Sequence, residues 1–288
     1  MNTFTYVETI DAFRSAMFDA SITPPDFIQA DGKLHRFHIA GHKAGSKNGA
    51  YVLHSNGHPA GYFEDFTQSM KVTWRMEGNR RQFTDADVAQ IAAAKFQREK
   101  ELEFKRNKAK EKANSIWTYA EYATTHPYLN RKRIKPHIAK MCGYQNPALL
   151  VPLYNARIEI VNLQYIEADG SKRFLYGGEK KNCFCWLGDS TETILVAEGF
   201  ATAASLHENK GLQTFVAFDA GNLENVAKII RAKLPNVQII IAGDNDESGV
   251  GQKAASAAAR AVGGKFIIPK EVGMDWNDVL TLGGRHGQ

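Results

Sequence analysis

Carboxylates at the ends of apolar runs are the residues best placed to do chemistry in this chain. Ile239–Asp246 reads I-I-I-A-G-D-N-D, a branched apolar run followed by Asp244 and Asp246, with Glu247-Ser248-Gly249 leading into a helical segment. Such a run suits a parallel strand buried on both faces. The same grammar stands upstream: Thr193-Ile194-Leu195-Val196-Ala197, then Glu198-Gly199, then an alanine-rich helical segment. Carboxylates at the carboxyl ends of neighbouring parallel strands open into one crevice. Three acids there repel one another unless protonated or bridged by a cation. Ligands that are all oxygen suit Mg²⁺ or Mn²⁺. An Asp-x-Asp after a strand is also an ordinary helix cap, so the pair alone does not specify a metal. Asp275-Trp276-Asn277-Asp278, after a third apolar run, adds Asp275 and Asp278 as outer or additional ligands, with local capping as the other reading of Asp275.

The elements that must position these acids follow an alternating pattern. Strands are expected at 192–197, 214–218, 237–242 and 266–268, and helices at 201–208, 222–234 and 247–262. Strands alternating with helices of this length form a right-handed βαβ layer. The order A-E-G-F-A-T-A-A-S, D-A-G-N-L, I-A-G-D-N-D-E-S-G and D-W-N-D resembles the Toprim domain of primases from satellite phages, prophages and conjugative plasmids. The resemblance implies that Asp244 and Asp246 are metal ligands, and that Glu198 is a third ligand or a general acid/base. It also implies a DNA primase that makes short RNA primers on single-stranded DNA from nucleoside triphosphates, with any replicative helicase on a separate chain. The sequence stops ten residues after Asp278, so no helicase domain is expected to follow.

Ahead of this layer the chain is basic. Residues 191–288 hold 9 Lys/Arg against 11 Asp/Glu, whereas 1–190 carry a net charge of +7. An acidic metal-binding lobe beside a basic lobe suits a polyphosphate or nucleic-acid substrate. Residues 147–187 read as β-rich, with a turn at Asp169-Gly170 and a return through Lys172-Arg173-Phe174. Lys172, Arg173, Lys180 and Lys181 are the candidates for phosphate or template contacts, and Asn222 and Asn245 for holding loops or touching nucleotide. This stretch resembles the basic subdomain that precedes Toprim in bacterial-type primases. It departs from the cellular form at Val161-Asn162-Leu163-Gln164, where an arginine-bearing glycine motif is expected, and at Asn182, where relatives commonly carry glycine. Tyr128-Leu129 followed by Arg131, Lys132, Arg133 and Lys135 resembles a short motif before the catalytic core, with the basic residues facing substrate.

Asp85 to about Thr124 reads as one long charged helix, either a solvated lever or, through its lysines, a backbone-binding surface. The first 80 residues form a helix and then a small β-rich module, with a hairpin around Asn56-Gly57. That module resembles the N-terminal segment of phage and plasmid primase-type proteins, at the place where other primases carry a zinc ribbon. Arg36 and Lys43 are its candidate DNA contacts. The whole is an α/β chain in four expected segments: a small N-terminal α+β module (1–80), a charged helical linker (84–126), a basic β-rich subdomain (127–190) and a Toprim domain with a parallel sheet and flanking helices (191–288).

Composition narrows the setting. Three cysteines, Cys142, Cys183 and Cys185, make no disulfide framework, and no second close pair supports zinc. No apolar run reaches the length of a membrane span, and the N-terminus lacks a secretion signal. A cytoplasmic protein with no membrane partner is expected. Two other functions use the same residues: a Toprim metal-dependent nuclease, and a noncatalytic DNA-binding or replication-accessory protein. A topoisomerase would need a transesterifying tyrosine on a separate domain, and none of the ten tyrosines sits in an identifiable motif.

Overall fold

The computed structural model describes residues 4–42, 45–68, 70–77, 85–143 and 147–283. The chain divides into two compact units, Met1–Ala93 and Ala94–Gln288.

In the first unit, Thr5 and Glu8 start helix α1 (Tyr6–Asp19) by capping each other's backbone N–H groups at 2.7 and 3.2 Å. The inner face of α1 carries Phe13 and Met17, fully buried against Tyr51, Leu53 and Phe63 of an antiparallel sheet. That sheet runs in sequence order: β1 (His35–Phe37), β2 (Gly49–His54), β3 (Ala60–Asp65) and β4 (Met70–Arg75). The hairpin around Asn56-Gly57 forms, β2 pairing with β3 from Gly49↔Asp65 to His54↔Ala60. Arg36 lays its guanidinium 4.3 Å over the Phe66 ring, and Lys43 lies outside the described residues.

Helix α2 (Asp85–Tyr119) is exposed from Ala92 to Lys105. Further along, in the second unit, Ala109 and Ala113 are buried against Leu150, Leu163 and Tyr165. Those three belong to an antiparallel sheet, β5 (Glu121–Tyr122), β6 (Lys140–Cys142), β7 (Ala148–Tyr154), β8 (Ile160–Ile166) and β9 (Lys172–Phe174), with α3 (Pro127–Lys132) between β5 and β6. Strand periodicity explains why β7 is continuously apolar. Ala148 and Leu150 face α2, while Leu149, Val151 and Leu153 join the opposite core with Tyr128, Leu129 and Phe200.

The C-terminal layer comprises β10 (Cys185–Leu187), β11 (Thr193–Ala197), α4 (Phe200–Lys210), β12 (Gln213–Val216), α5 (Leu223–Lys233), β13 (Gln238–Ala242), α6 (Val250–Val262), β14 (Lys265–Ile267) and α7 (Trp276–Gly283). Its sheet has the order β10-β12-β11-β13-β14. Leu195 and Ala197 face α4, whereas Ile194, Val196, Ile239 and Ile241 face α5 and α6. Ala255, Ala258 and Ala259 of α6 are almost fully buried there, small enough for close approach to the sheet. One expectation is corrected. Cys185–Leu187, assigned from sequence to the basic subdomain, pairs antiparallel with β12 and gives the otherwise parallel sheet an antiparallel edge. No helix among the described residues is long and apolar enough to cross a membrane.

Candidate active site

The chain leaves β11 toward β12 on one side, then crosses to β13 on the other. The carboxyl ends of β11 and β13 therefore flank a topological switch point, where α/β sheets open a crevice. Register places the acids there: Ala197 pairs with Ala242, so Glu198 follows one strand and Gly243-Asp244 the other. Asp219 stands just past β12. It is positioned by Phe218, whose N–H donates to the Glu198 carbonyl at 2.7 Å and whose φ of 69° is left-handed. A bulky residue held in that conformation stores roughly 1–3 kcal/mol of strain.

A cavity of about 320 Å³ lies over these strand ends, between the C-terminal layer and the basic sheet. Glu198, Asp244 and Asp275 line one wall, and Lys172, Arg131, Lys132 and Tyr128 the other. The Lys172 ammonium hangs over the Glu198-Gly199 turn, 4.0 Å from where a β-carbon on Gly199 would stand. A larger cleft of about 460 Å³ between α2 and the β7–β8 turn is remote from the strand ends. Within it Arg106 pairs with Glu179 at 3.3 Å and Lys110 with Glu159 at 2.8 Å.

Electrostatics separates the acids. Burial first, then the charges of Glu198, Asp275 and Asp246, push the Asp244 carboxyl up to about 7, against the pull of Lys172. Burial and then Asp219 raise Glu198, again with Lys172 opposing. Lys172 is exposed as a residue, yet the protein around its ammonium, and then Lys132, lower its pKa against Asp275, Glu198 and Asp244. Asp246 goes the other way, held low by the Ser248 hydroxyl first and then by N–H groups at the start of α6.

The residues named from sequence do not all meet. Asp246 turns back on α6: its Oδ1 accepts from Ser248 Oγ at 2.6 Å and its Oδ2 from the Gly251 N–H at 2.6 Å. Among the described residues no three His, Cys, Asp or Glu side chains converge closely enough to hold a metal ion as they stand. The trio expected from the sequence is open at Asp246 as it stands. Glu198 and Asp244 share the cavity, while the amides of α6 draw Asp246 toward a capping position. Asp275 and Asp278 cap α7 reciprocally, the Asp278 N–H donating to Asp275 Oδ1 at 2.8 Å. Both also pair with Lys132, at 3.5 and 3.4 Å.

On β9, Lys172 pairs with Ile166 and faces the acids, whereas Arg173 pairs with Tyr165, stacks 4.0 Å over its ring and binds Glu167 at 3.3 Å. Arg173 thereby points to the opposite face of the sheet from the cavity. Lys180 pairs with Asp219 at 2.6 Å, and Lys181 is exposed. Asn222, 2% exposed, donates to the Cys183 and Ala217 carbonyls and accepts from the Asn182 N–H, the loop-holding arrangement that was one of its two expected roles. Asn245 likewise ties the Pro269 carbonyl to Gln252. Arg131 donates to the Ala168 carbonyl at 2.9 Å. Arg133 ends α3 in a left-handed conformation and is exposed. Lys135 is exposed beyond it, its backbone N–H bound to Glu208.

Asp219 and Tyr128 carry no catalytic expectation from the sequence. For Asp219 a signal existed, an acid just past a strand of the same layer. For the Tyr128 hydroxyl there was none, because its place depends on how α3 packs.

The acids fit a hard cation. Asp244 Oδ1 is buried with no hydrogen-bond partner, an acceptor with nothing to accept from, among donors that are all oxygen.

Residues 193–286 match the Toprim domain model. The chain is 34% identical over 280 residues to a DNA primase TraC of Escherichia coli, covering 91% of this chain and 19% of that protein. A second Escherichia coli DNA primase TraC is 34% identical over 257 residues, covering 83% and 24% respectively. The chain thus spans less than a quarter of the length of these relatives. Among solved structures, the primase fragment of the bacteriophage T7 primase-helicase protein matches with a TM-score of 0.45 at 15% identity, covering 87% of this chain and 96% of that one. The DnaG primase catalytic domain bound to ssDNA matches with a TM-score of 0.46 at 11% identity, covering 64% and 79%. Residues 193–286 thus carry a Toprim-like segment, and most of the chain is similar to one part of the TraC primases.

Proposed function

We propose that the chain is a DNA primase core that joins ribonucleotides on a single-stranded DNA template. The observation that carries this reading is the cavity in which Glu198 and Asp244 face Lys172 across the strand ends, in a chain related to TraC. In the reaction, a 3′-hydroxyl oxygen bonds to the α-phosphorus of the incoming nucleotide, the bond to the β-phosphate oxygen breaks, and pyrophosphate leaves. Bound Mg²⁺ or Mn²⁺ neutralises charge that builds on the phosphoryl oxygens and favours ionisation of the attacking hydroxyl.

Asp244, with its unpartnered oxygen, would hold the cation, with Glu198 beside it. Asp246 would contribute only by leaving its cap, and Asp275 and Asp278 act through Lys132. Glu198, its carboxyl raised by burial and then by Asp219, is placed to take the hydroxyl proton. Lys172 neutralises phosphate on the opposite wall, and Lys180, held by Asp219, stands at its flank. Arg131 and Lys132 extend the basic wall toward template. The setting that goes with this reading is cytoplasmic replication, with nucleoside triphosphates and single-stranded DNA as substrates and a helicase as a separate partner.

The test incubates purified protein with single-stranded DNA, labelled ribonucleotides and Mg²⁺ or Mn²⁺. Short labelled oligonucleotides are expected, and their loss in Asp244→Ala. Cleaved DNA without oligonucleotides would select a nuclease instead. DNA retention with neither product would select a binding module.

A further inference from the structure

Asp244 Oδ1 has a counterpart on the basic wall. The Tyr128 hydroxyl is also buried without a hydrogen-bond partner among the described residues. The two are complementary, an acceptor among acids and a donor flanked by Arg131 and Lys172 with Asp275 also near, lining one cavity. Tyr128 is 2% exposed. The Arg131 guanidinium and the Lys172 ammonium each lie 5.8 Å from its ring centre. A phenylalanine would fill the same space in the core without stranding a hydroxyl, and an unpaired buried hydroxyl is unfavourable. The hydroxyl therefore matters when something else occupies the cavity. At about 320 Å³ the space equals that of roughly ten waters, room for a diphosphate with part of its hydration.

An occupant that satisfies both orphans must offer a cation to Asp244 and an anionic oxygen to Tyr128, beside Lys172. A metal-bound polyphosphate does both. We propose that Tyr128 and Lys172 form a polyphosphate subsite, the phenol donating a hydrogen bond to, and the ammonium neutralising, the β,γ-phosphates of the incoming nucleotide or the pyrophosphate released from it. The proposal rests on the polymerase reading and makes Tyr128 a substrate-contacting residue of that same cavity. A nuclease, which releases no pyrophosphate, has no use for such a subsite.

The test uses the full chain as wild type, Tyr128→Phe and Lys172→Gln. Mn²⁺ binding is followed by electron paramagnetic resonance, then pyrophosphate is titrated calorimetrically at saturating Mn²⁺, and each protein is melted. Tyr128→Phe is expected to bind Mn²⁺ alone like wild type, to melt no lower, and to bind pyrophosphate roughly tenfold more weakly, the size of one charge-assisted hydrogen bond. Lys172→Gln is expected to weaken pyrophosphate as well. Pyrophosphate affinity within about twofold of wild type in Tyr128→Phe overturns the subsite, as does a lower melting temperature in that variant or a wild type that binds no pyrophosphate. Primer synthesis by wild type with unchanged affinity in Tyr128→Phe overturns this subsite alone. Tyr128-dependent pyrophosphate binding without primers overturns the polymerase reading alone.

Discussion

Asp244 is destabilising as an anion and useful for the same reason. Its carboxyl ionises at about 7 in the fold but near ~3.9 in the unfolded chain. Between those values the folded state holds the extra proton. Stability without metal therefore falls as pH rises through that window. Asp244→Asn removes this loss, so the variant should melt above wild type at pH 8 without metal, by about 2–4 °C for each kcal/mol recovered, and the gap should close toward pH 4. Added Mg²⁺ or Mn²⁺ should raise the melting temperature of wild type at pH 8 and leave that of Asp244→Asn unchanged. Thermal melts at several pH values, with and without cation, check both. Glu198 and Asp244 were legible in the sequence because strand ends are legible. Asp246 stood with them, because an acid one turn before a helix reads alike as ligand and as cap, and its bonds to Ser248 and Gly251 show the cap. Asn222 looked like a site residue for a similar reason. Its burial depends on the 182–183 backbone folding over it, a long-range contact that local pattern does not contain.

Among the elements, α6 and α7 fix the acids. A β-carbon on Gly251 would stand 2.6 Å from the Asp244 carbonyl oxygen and 2.8 Å from Asp246 Oδ2. Gly251→Ala should therefore push the Asp244–Asp246 loop away from α6, and we expect primer synthesis to fall at least about tenfold, a barrier change near 1.4 kcal/mol. Steady-state assays at saturating nucleotide check it, with circular dichroism to show the helix retained. Asn277, 1% exposed at the start of α7, donates to the Lys132 carbonyl and to Ser205 Oγ, both at 2.7 Å. Asn277→Ala leaves these groups unpaired and should cost about 1–3 kcal/mol, measurable by urea unfolding. Most elements followed from the pattern, since a Val/Ile run before an alanine-rich segment allows little else. Two features did not. Cys185–Leu187 is too short to show which sheet it joins, and pairing is a tertiary choice. Arg173 could not be separated from Lys172, because alternation along a strand puts neighbours on opposite faces without telling which face holds the site.

At the scale of the second unit, the basic sheet stands between α2 and the acidic layer, and Lys172, Arg131 and Lys132 meet Glu198, Asp244 and Asp275 in one cavity. The sequence showed the charge contrast between 1–190 and 191–288 but not where the two signs meet. Helix α2 is exposed from Ala92 to Lys105 before it packs on Leu150 and Leu163. Limited proteolysis should cut first in this exposed stretch, where few buried contacts oppose local opening. The fragment that begins there should keep the cation-dependent melting shift, a readout for mass spectrometry and calorimetry together. The central claim is that the ends of β11 and β13 hold a divalent cation. Crystals soaked in Mn²⁺ with pyrophosphate test it most directly. An anomalous peak bonded to Asp244 Oδ1 with Glu198 alongside is predicted, and it should vanish in Asp244→Asn. No peak at those strand ends, or one bound only elsewhere, would contradict the account.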